Sequence, residues 1–248
     1  MSQPTAAMLV IGDEILSGRT RDSNANHLAK VMTEIGVRLI EVRFVGDEQD
    51  EIVAAVNALR TKADRLFTSG GIGPTHDDTT ADAVAAAFGA HIDVRDDALA
   101  ILQHRYAKMG TEINEARLRM ARIPDGAELI ENPISGAPGF TLGNVHVMAG
   151  VPAIFEAMLE TLRPGIQGGP PILSHSFRCM AGEGDLAGPF GEIAAAFPDV
   201  SMGSYPFGGR GAMLVLRSPD RARLTEAADA LRAALDGIGN IDMETPPE

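Results

Sequence analysis

A turn rich in glycine and aspartate is the segment of this chain with the clearest capacity for chemistry. It reads Thr68-Ser69-Gly70-Gly71-Ile72-Gly73-Pro74-Thr75-His76-Asp77-Asp78-Thr79-Thr80. A glycine turn between a strand and a helix collects backbone N–H groups that bind phosphate. Asp77 and Asp78 would repel a phosphate unless a divalent cation lay between them, and Mg²⁺ commonly uses one or two carboxylates plus phosphate oxygens. The pattern favours a metal-bridged phosphate or pyrophosphate site, and an ordinary βα turn with helix-capping aspartates is the alternative.

Acidic pairs also follow the two strands predicted before this turn. The three pairs are Asp13-Glu14, Asp47-Glu48 and Asp77-Asp78. The carboxyl ends of parallel strands lie along one edge of an open sheet, where ligands bind, and neighbouring strands are about 4.8 Å apart. The three pairs are therefore placed to share one metal–phosphate site. Helix capping by each pair separately is the other interpretation.

Two further polar residues have open interpretations. Asn24 lies in the polar run that continues the first loop, where it either bonds a ligand or caps the next helix. His76 lies in the glycine turn, where it either touches a phosphate or is simply solvated. The remaining histidines are scattered and have no metal-binding spacing.

The elements that must position these residues follow from the apolar pattern. Apolar or β-branched runs at 6–11, 37–45 and 65–67 predict strands, and helical patterns at 23–35, 52–59 and 81–88 alternate with them. Thr79 and Asp82 match a capping signal, which places the third helix directly after the carboxylates. This alternation predicts an α/β fold with a doubly wound, mostly parallel sheet. Further helices are expected at 98–109, 113–122 and 152–162, and a hairpin over 139–148.

The segment 163–171 is dense in proline and glycine and predicts a domain boundary. We expect an α/β domain over 5–165 and a small α+β domain over 172–240. The second domain is predicted to have the order βαββα, with a strand at 172–180, a helix at 189–197, strands at 200–207 and 212–217, and a helix at 224–235. Residues 208–211 are expected to form a hairpin tip and residues 244–248 a disordered tail.

Composition narrows the class of protein. The chain has 248 residues. Its formal charge of −13 and its low aromatic content of 4% argue against a nucleic-acid backbone as partner. It has no run of 18 apolar residues and no apolar N-terminal leader, so we expect no membrane partner and no secretion. A single cysteine, Cys179, excludes an internal disulfide and favours a reducing cytoplasm.

Several of these motifs, taken in order, resemble the molybdopterin-binding-like domain of the competence/damage-inducible protein A family. It is also the N-terminal domain of eukaryotic FAD synthases. The motifs are 11–18 (IGDEILSG), 22–24 (DSN), 45–48 (VGDE), 70–78 (GGIGPTHDD), 135–140 (SGAPGF) and 149–152 (AGVP). The resemblance covers about residues 5–165, and the following segment resembles the small α+β domain of that family. We expect no counterpart of the family's C-terminal amidase domain.

The resemblance implies divalent-metal-dependent hydrolysis of a nucleotide pyrophosphate of the ADP-ribose or FAD type. It implies that Asp47, Asp77 and Asp78 hold one or two ions (Mg, Mn or Co). The expected ligand-binding residues are Asp13, Glu14, Gly18, Asn24, Gly70, Gly71, Gly73, Pro74, Thr75 and Thr79. Among these, the glycines would offer backbone N–H groups, and Thr75 and Thr79 would offer hydroxyls.

Two residues depart from the family pattern. His76 stands where many relatives have lysine, and Ala149 stands where proline is usual. A protein that binds molybdopterin or a nucleotide without turnover stays an alternative, as does adenylyl transfer to molybdopterin. The expected partner is a small nucleotide or pterin, and this fold class favours a homo-oligomer.

Overall fold

A computed structural model describes residues 3–208, 211–238 and 240–246. The chain divides into two compact units, the first ending at Gly169 and the second beginning at Pro170. Each unit has its own hydrophobic core. The units are described separately below.

The first unit alternates strands and helices. Its strands are β1 (Thr5–Ile11), β2 (Arg38–Val45), β3 (Arg65–Ser69), β4 (Ile92–Val94), β5 (Arg122–Pro124), β6 (Glu128–Ile130), β7 (Gly139–Leu142) and β8 (Val145–Met148). Its helices are α1 (Asp13–Leu16), α2 (Asn24–Glu34), α3 (Gln49–Lys62), α4 (Thr80–Phe88), α5 (Asp96–Lys108), α6 (Glu115–Leu118) and α7 (Pro152–Leu162). Short 3₁₀ turns cover Arg119–Ala121 and Arg163–Gly165.

Six of these strands form one sheet in the order β2-β1-β3-β8-β7-β6. The pairs β1–β2, β1–β3 and β3–β8 are parallel, whereas β7 pairs antiparallel with β8 and with β6. The predicted fold class, an α/β fold with a mostly parallel sheet, is confirmed. The predicted hairpin is formed by β7 and β8 around Gly143-Asn144.

Both faces of this sheet are buried, which explains why its central strands are apolar at consecutive positions. Along β1, Leu9 faces a core formed with α3, α4 and α5, and Met8 faces a second core formed with α2 and α7. Phe67 on β3 and Phe155 on α7 fill that second core and are fully buried. The two cores hold the strand ends, and therefore the loops after them, in fixed positions.

The predicted helix over 113–122 is wrong. Helix α6 has only four residues after its cap, Asn114, whose side chain accepts a hydrogen bond from the Arg117 N–H. The chain then passes through a 3₁₀ turn into β5, which pairs with β4. Each of these two strands has three residues, which is too short to give a periodic signal in the sequence.

The second unit contains the strands β9 (Leu173–Met180), β10 (Ser201–Phe207), β11 (Gly211–Ser218) and β12 (Asn240–Thr245), and the helices α8 (Glu183–Ala196) and α9 (Arg221–Ala234). The strands form an antiparallel sheet in the order β10-β11-β9-β12. The predicted order βαββα therefore lacks the last strand. Gly209 and Arg210 of the expected hairpin tip lie outside the described residues.

Two details of the second unit correct the sequence interpretation. Glu244 and Thr245 belong to β12 and are not a disordered tail; the His175 ring bonds the Glu244 carboxylate at 2.6 Å. Helix α8 begins at Glu183, six residues before Pro189, which lies inside it. The buried side chain of Leu186 packs the first turns into the core, so the helix forms despite the missing Pro189 N–H. Pro247 and Glu248 lie outside the described residues.

None of the helices described above combines the length and the apolar character that a membrane-spanning segment needs.

His146 on β8 makes the stability of the first unit sensitive to pH. Its ring is 5% exposed and stacks on Phe67, and burial, followed by the charge of Arg65, lowers its pKa to about 4. The unfolded chain therefore binds a proton below about pH 6.5 that the folded chain binds only near pH 4. We expect the free energy of unfolding to fall by about 3 kcal/mol from this group between pH 7 and pH 4.

The measurement is urea unfolding across that pH range for wild type and His146→Gln. The variant should lose less stability than wild type as pH falls, because it carries no titrating ring. His104→Gln replaces an exposed histidine on α5 and serves as the control. Parallel curves for wild type and His146→Gln would contradict the assignment.

The two compact units predict how the chain tolerates truncation. The Gly169 N–H donates to the Ile35 carbonyl at 3.1 Å, so the first unit needs the chain through Gly169. We expect a chain ending at Pro171 to fold cooperatively, because the unit keeps its own core. Calorimetry of this shortened chain is the check. A broad, non-cooperative melting transition would show that the first unit depends on the second for its stability.

Candidate active site

The ends of three adjacent parallel strands build the candidate site. Because β1 lies between β2 and β3, the loops that begin at Gly12, Gly46 and Gly70 meet at one edge of the sheet. The Gly12 N–H donates to the Val45 carbonyl at 3.1 Å and continues the strand pairing into the first loop.

The first two acidic loops contact each other directly. The Asp13 N–H donates to Asp47 Oδ2 at 3.0 Å. A Cβ added to Gly46 would lie 2.6 Å from Asp13 Oδ1, so the Asp13 carboxylate occupies the space that a side chain at position 46 would need. Neither Asp13 nor Asp47 caps its helix, since α1 and α3 have no side-chain cap bond. Capping therefore does not explain these aspartates.

The glycine turn approaches its neighbours too closely for other residues. Gly70 has φ 109° and Gly71 has φ 69°, in the region that favours glycine. A Cβ on Gly70 would lie 2.2 Å from the Ile11 carbonyl oxygen, and one on Gly71 would lie 2.1 Å from Thr80 Oγ1. The buried Thr80 hydroxyl donates to the Gly70 carbonyl at 2.9 Å, so it has little freedom to move. The turn is thus locked between β1 and α4.

We expect Gly71→Ala to destabilise the first unit far more than Gly18→Ala. Both positions have positive φ, which costs an alanine about 1–2 kcal/mol. Nothing lies within 4 Å of a Cβ at Gly18, whereas a Cβ at Gly71 meets Thr80 Oγ1. Thermal melting of the two variants provides the comparison. Equal melting temperatures would mean that the turn has more space around Gly71 than this structure shows.

The hydroxyls of Thr75 and Thr79 are used within the protein. The Thr75 N–H donates to Asp78 Oδ2 at 2.8 Å, and its hydroxyl donates to the same oxygen. The Thr79 hydroxyl donates to the Asp47 carbonyl at 2.9 Å and accepts no backbone N–H of α4, so the predicted capping bond is wrong although α4 does begin at Thr80. Both threonines therefore support the aspartates, in contrast to the expected role as phosphate donors.

The backbone N–H groups of the turn are not equivalent. The Gly70 N–H donates to the Met148 carbonyl at 3.1 Å and is not available to a ligand. Within the described part of the chain, those of Gly71 and Gly73 have no protein acceptor. The expectation that Gly70 offers its N–H to a phosphate is corrected, and Gly71 and Gly73 retain that capacity.

The carboxylates of the site differ in their electrostatic surroundings. Burial raises the pKa of Asp47, and the charges of Asp13, Glu14 and Asp77 raise it further against the lowering effect of the Asp13 N–H. The pKa of exposed Asp77 is lowered by the nearby Thr75 side chain and by the backbone N–H of Asp77 itself, with smaller contributions from the charges of His76 and Arg119. The His76 ring itself is almost fully exposed. Asp47 therefore carries a negative charge that its protein surroundings do not fully neutralise.

A cleft of about 550 Å³ opens over this edge of the sheet. The predicted site residues that line it are Glu14, Asp47, Gly70, Gly71, Gly73, Pro74, Asp77 and Asp78. The predicted residues outside its lining are Asp13, Gly18, Asn24, Thr75 and Thr79. The structure thus brings together carboxylates from all three acidic loops and the glycine turn. Gly18 lies apart from them, in the exposed turn after α1.

Asn24 connects two loops beside the cleft, a role that differs from both ligand binding and helix capping. It is 4% exposed, and Ser23 rather than Asn24 occupies the cap position of α2. Its Nδ2 donates to Ser69 Oγ at 2.7 Å and to the Gly150 carbonyl at 2.8 Å. Its side chain therefore ties the end of β3 to the loop after β8.

Two residues beside the cleft were missed from the sequence. Asn132 organises the loop 132–137: its Nδ2 donates to Ser135 Oγ and the Ala137 carbonyl, and its Oδ1 accepts the Ser135 N–H. The segment 132–136 (NPISG) is rich in turn-forming residues, which could have indicated this loop. Arg119 donates to the Asp78 carbonyl at 3.1 Å. No sequence signal indicated this position, because the segment around Arg119 was interpreted as a helix.

The donor set suits a cation that is shared with a ligand. Within the described residues, no group of three or more His, Cys, Asp or Glu lies close enough to bind one metal ion together. Mg²⁺ usually keeps several waters and takes one or two carboxylates together with substrate phosphates. The part-buried, incompletely neutralised Asp47 and the neighbouring Asp78 and Asp77 are hard oxygen donors of that kind. The residues therefore fit a phosphate-bridged cation but not a cage built by the protein alone.

Comparison with known families agrees with this architecture. Residues 7–168 match the family described as a probable molybdopterin binding domain, and residues 171–242 match the FAD synthase middle domain. A protein of Aeropyrum pernix is 32% identical over 247 residues, which cover 96% of this chain and 92% of that protein. The chain therefore belongs to the molybdopterin-binding-domain family, with a second domain that matches the FAD synthase middle domain.

Two further relatives match about two thirds of the chain. A CinA-like protein of Citrifermentans bemidjiense is 37% identical over 167 residues, which are 65% of this chain but only 40% of that protein's length. The crystal structure of the protein CinA from Thermoplasma acidophilum, described as having unknown function, matches with a TM-score of 0.60 and 34% identity. It covers 65% of this chain and 98% of that structure's chain.

Proposed function

We propose that this protein hydrolyses the pyrophosphate bond of a nucleotide such as ADP-ribose or FAD, with a divalent cation as cofactor. The observation that carries the proposal is the cleft in which Asp47, Asp77 and Asp78 line the same space as Gly71 and Gly73. Carboxylates and free backbone N–H groups in one cleft are the donors that a metal-bound pyrophosphate requires.

In the proposed reaction, the oxygen of a water molecule bonds to one phosphorus while the P–O–P bond breaks. The bridging oxygen stays on the other phosphorus, so the products are two monophosphates, and the two hydrogens of the water leave as protons when both products are dianions. The N–H groups of Gly71 and Gly73 would bind phosphate oxygens, and the locked turn would hold them in place before the ligand arrives. When bound, the cation would offset negative charge on the phosphates and lower the pKa of a bound water.

The supporting residues of the cleft would keep the carboxylates in position. Asp47 is fixed at one carboxylate oxygen by the Asp13 N–H and at its carbonyl by Thr79. Asp78 is fixed at one carboxylate oxygen by Thr75. Each aspartate therefore has its second oxygen available for the ligand side. Such preorganisation avoids reorganisation cost during the reaction.

Binding without turnover is the second candidate function. The observation that favours it is the matched family itself, which is described as a probable molybdopterin binding domain. Adenylyl transfer to molybdopterin would use the same pyrophosphate contacts with a different acceptor. We expect a small nucleotide or pterin as ligand in every case.

The experiment that tests the proposal is a substrate panel of ADP-ribose, FAD, NAD and ATP with Mg²⁺, Mn²⁺ and Co²⁺, scored for released mononucleotides by chromatography. We expect release from ADP-ribose or FAD in the presence of at least one of these cations. Saturable ligand binding with no product from any member would favour the binding protein. Product that forms only when molybdopterin is added would favour adenylyl transfer.

A further inference from the structure

The cleft has an excess of negative charge that a pyrophosphate ligand would increase. Its lining includes Glu14, Asp47, Asp77 and Asp78, and within the described residues it includes no lysine, arginine or histidine. A pyrophosphate adds further negative charge to this space. Binding of such a ligand would therefore be helped by a cationic side chain that lies close to the cleft.

Arg119 lies immediately behind the two adjacent aspartates. Its Nη2 donates to the Asp78 carbonyl at 3.1 Å, and its charge contributes to the lowered pKa of Asp77. It lines a small cavity of about 20 Å³ together with Gly71, Gly73 and Asp78. Because these residues also line the main cleft, the small cavity adjoins it. About one oxygen-sized group fits in such a volume.

The guanidinium of Arg119 forms no ion pair with a carboxylate within the described part of the chain. Its Nε is buried and has no hydrogen-bond partner, and its one hydrogen bond goes to a neutral carbonyl. Arg122 on the same cavity differs, since its two terminal nitrogens bond Asp82 at 2.8 and 2.6 Å. A buried charged N–H without an acceptor costs free energy, which an anionic oxygen would recover.

We propose that Arg119 is the anion-binding residue of this site: its guanidinium, held at Nη2 by the Asp78 carbonyl, offers its remaining N–H donors to a phosphate oxygen of the ligand. The inference rests on the proposed function and deepens it. Arg119 binds phosphate where the acidic cleft provides no other fixed positive charge among its described lining residues. It thereby joins the ligand to the turn that carries Asp77 and Asp78.

The test is titration calorimetry with inorganic pyrophosphate and Mg²⁺ on wild type, Arg119→Lys, Arg119→Gln and Arg119→Met. A hydrogen bond to a charged group is worth enough that Arg119→Gln and Arg119→Met should bind about tenfold to hundredfold more weakly. Arg119→Lys keeps the charge and should lie between these variants and wild type. Arg117→Gln removes one charge two residues away, where Arg117 packs on Tyr106, and should bind as wild type does.

Melting temperatures separate ligand binding from a structural role. Variants that melt like wild type but bind weakly support the proposal. Unchanged pyrophosphate affinity in Arg119→Gln and Arg119→Met would overturn it, and so would a failure of wild type to bind pyrophosphate. If all three Arg119 variants melt early, the residue is structural and the proposal is also overturned. Hydrolysis of ADP-ribose or FAD by wild type is scored separately, so loss of this inference and loss of the proposed function are distinguishable.

Discussion

Asp47→Asn should lower the rate of nucleotide hydrolysis by about a hundredfold or more, the loss that follows removal of one strong electrostatic contact. The variant keeps the size of the side chain, and its amide oxygen can still accept the Asp13 N–H that now bonds Asp47 Oδ2. Only the charge on the ligand side is lost. Steady-state hydrolysis of ADP-ribose or FAD, whichever the panel identifies, is the measurement.

The same variant should not lose stability. Burial and nearby carboxylates raise the pKa of Asp47 in the folded protein, so its charged form is less stable there than in the unfolded chain. Removal of that charge should leave the melting temperature in metal-free buffer unchanged or higher. Asp50→Asn, which changes an exposed carboxylate in the first turn of α3, should alter neither rate nor melting. An Asp47→Asn protein that melts early with full specific activity would make Asp47 a structural residue.

Removal of divalent cations should abolish turnover, and their return should restore it. Asp47, Asp77 and Asp78 repel an anionic ligand unless a cation lies between them, so chelation removes both binding of the phosphates and the activation of water. The measurement is hydrolysis in EDTA, followed by titration with Mg²⁺, Mn²⁺ or Co²⁺ in excess of the chelator.

A folding control accompanies the chelation experiment. The first unit folds around two hydrophobic cores, so its thermal unfolding in EDTA should remain cooperative. Addition of a divalent ion should raise the melting temperature, because an ion that binds only the folded state stabilises that state. Full activity in thoroughly chelated buffer would remove the metal from the proposal.

Much of the first unit could be predicted because its signals are strong. The run 6–11 is apolar at every position, as a strand buried on both faces requires, and the alternation with amphipathic helices sets the parallel order. Those two facts also predict that the loops after β1, β2 and β3 meet. The Asp13 N–H bond to Asp47 is the direct contact that such a meeting produces.

The rest depended on contacts that local sequence does not encode. Strands β4 and β5 have three residues each and exist because they pair with each other. Residues 244–245 were expected in a disordered tail, yet they belong to β12, which pairs with β9, and Glu244 bonds the buried His175. The periodicity of apolar residues indicates neither the pairing of such short strands nor a bond to a distant side chain.

The same reason separates the predicted from the unpredicted site residues. The glycines at 70 and 71 could be predicted because their motif implies a tight turn, and the structure adds the clashes that make them necessary. The bond from Thr75 to Asp78 is local, whereas the bond from Thr79 to the Asp47 carbonyl and the position of Arg119 behind Asp78 arise from the packing of separate segments. Such relations become visible only when the chain is folded.

The most direct test of the central claim is hydrolysis in water enriched with ¹⁸O. ADP-ribose or FAD, Mg²⁺ and wild-type protein are incubated in labelled water, and the mononucleotide products are weighed by mass spectrometry. If water attacks phosphorus, each turnover places one ¹⁸O atom in one of the two monophosphates, and Asp47→Asn yields little labelled product. Intact substrate after prolonged incubation, or products that carry no label, would contradict the proposed pyrophosphatase.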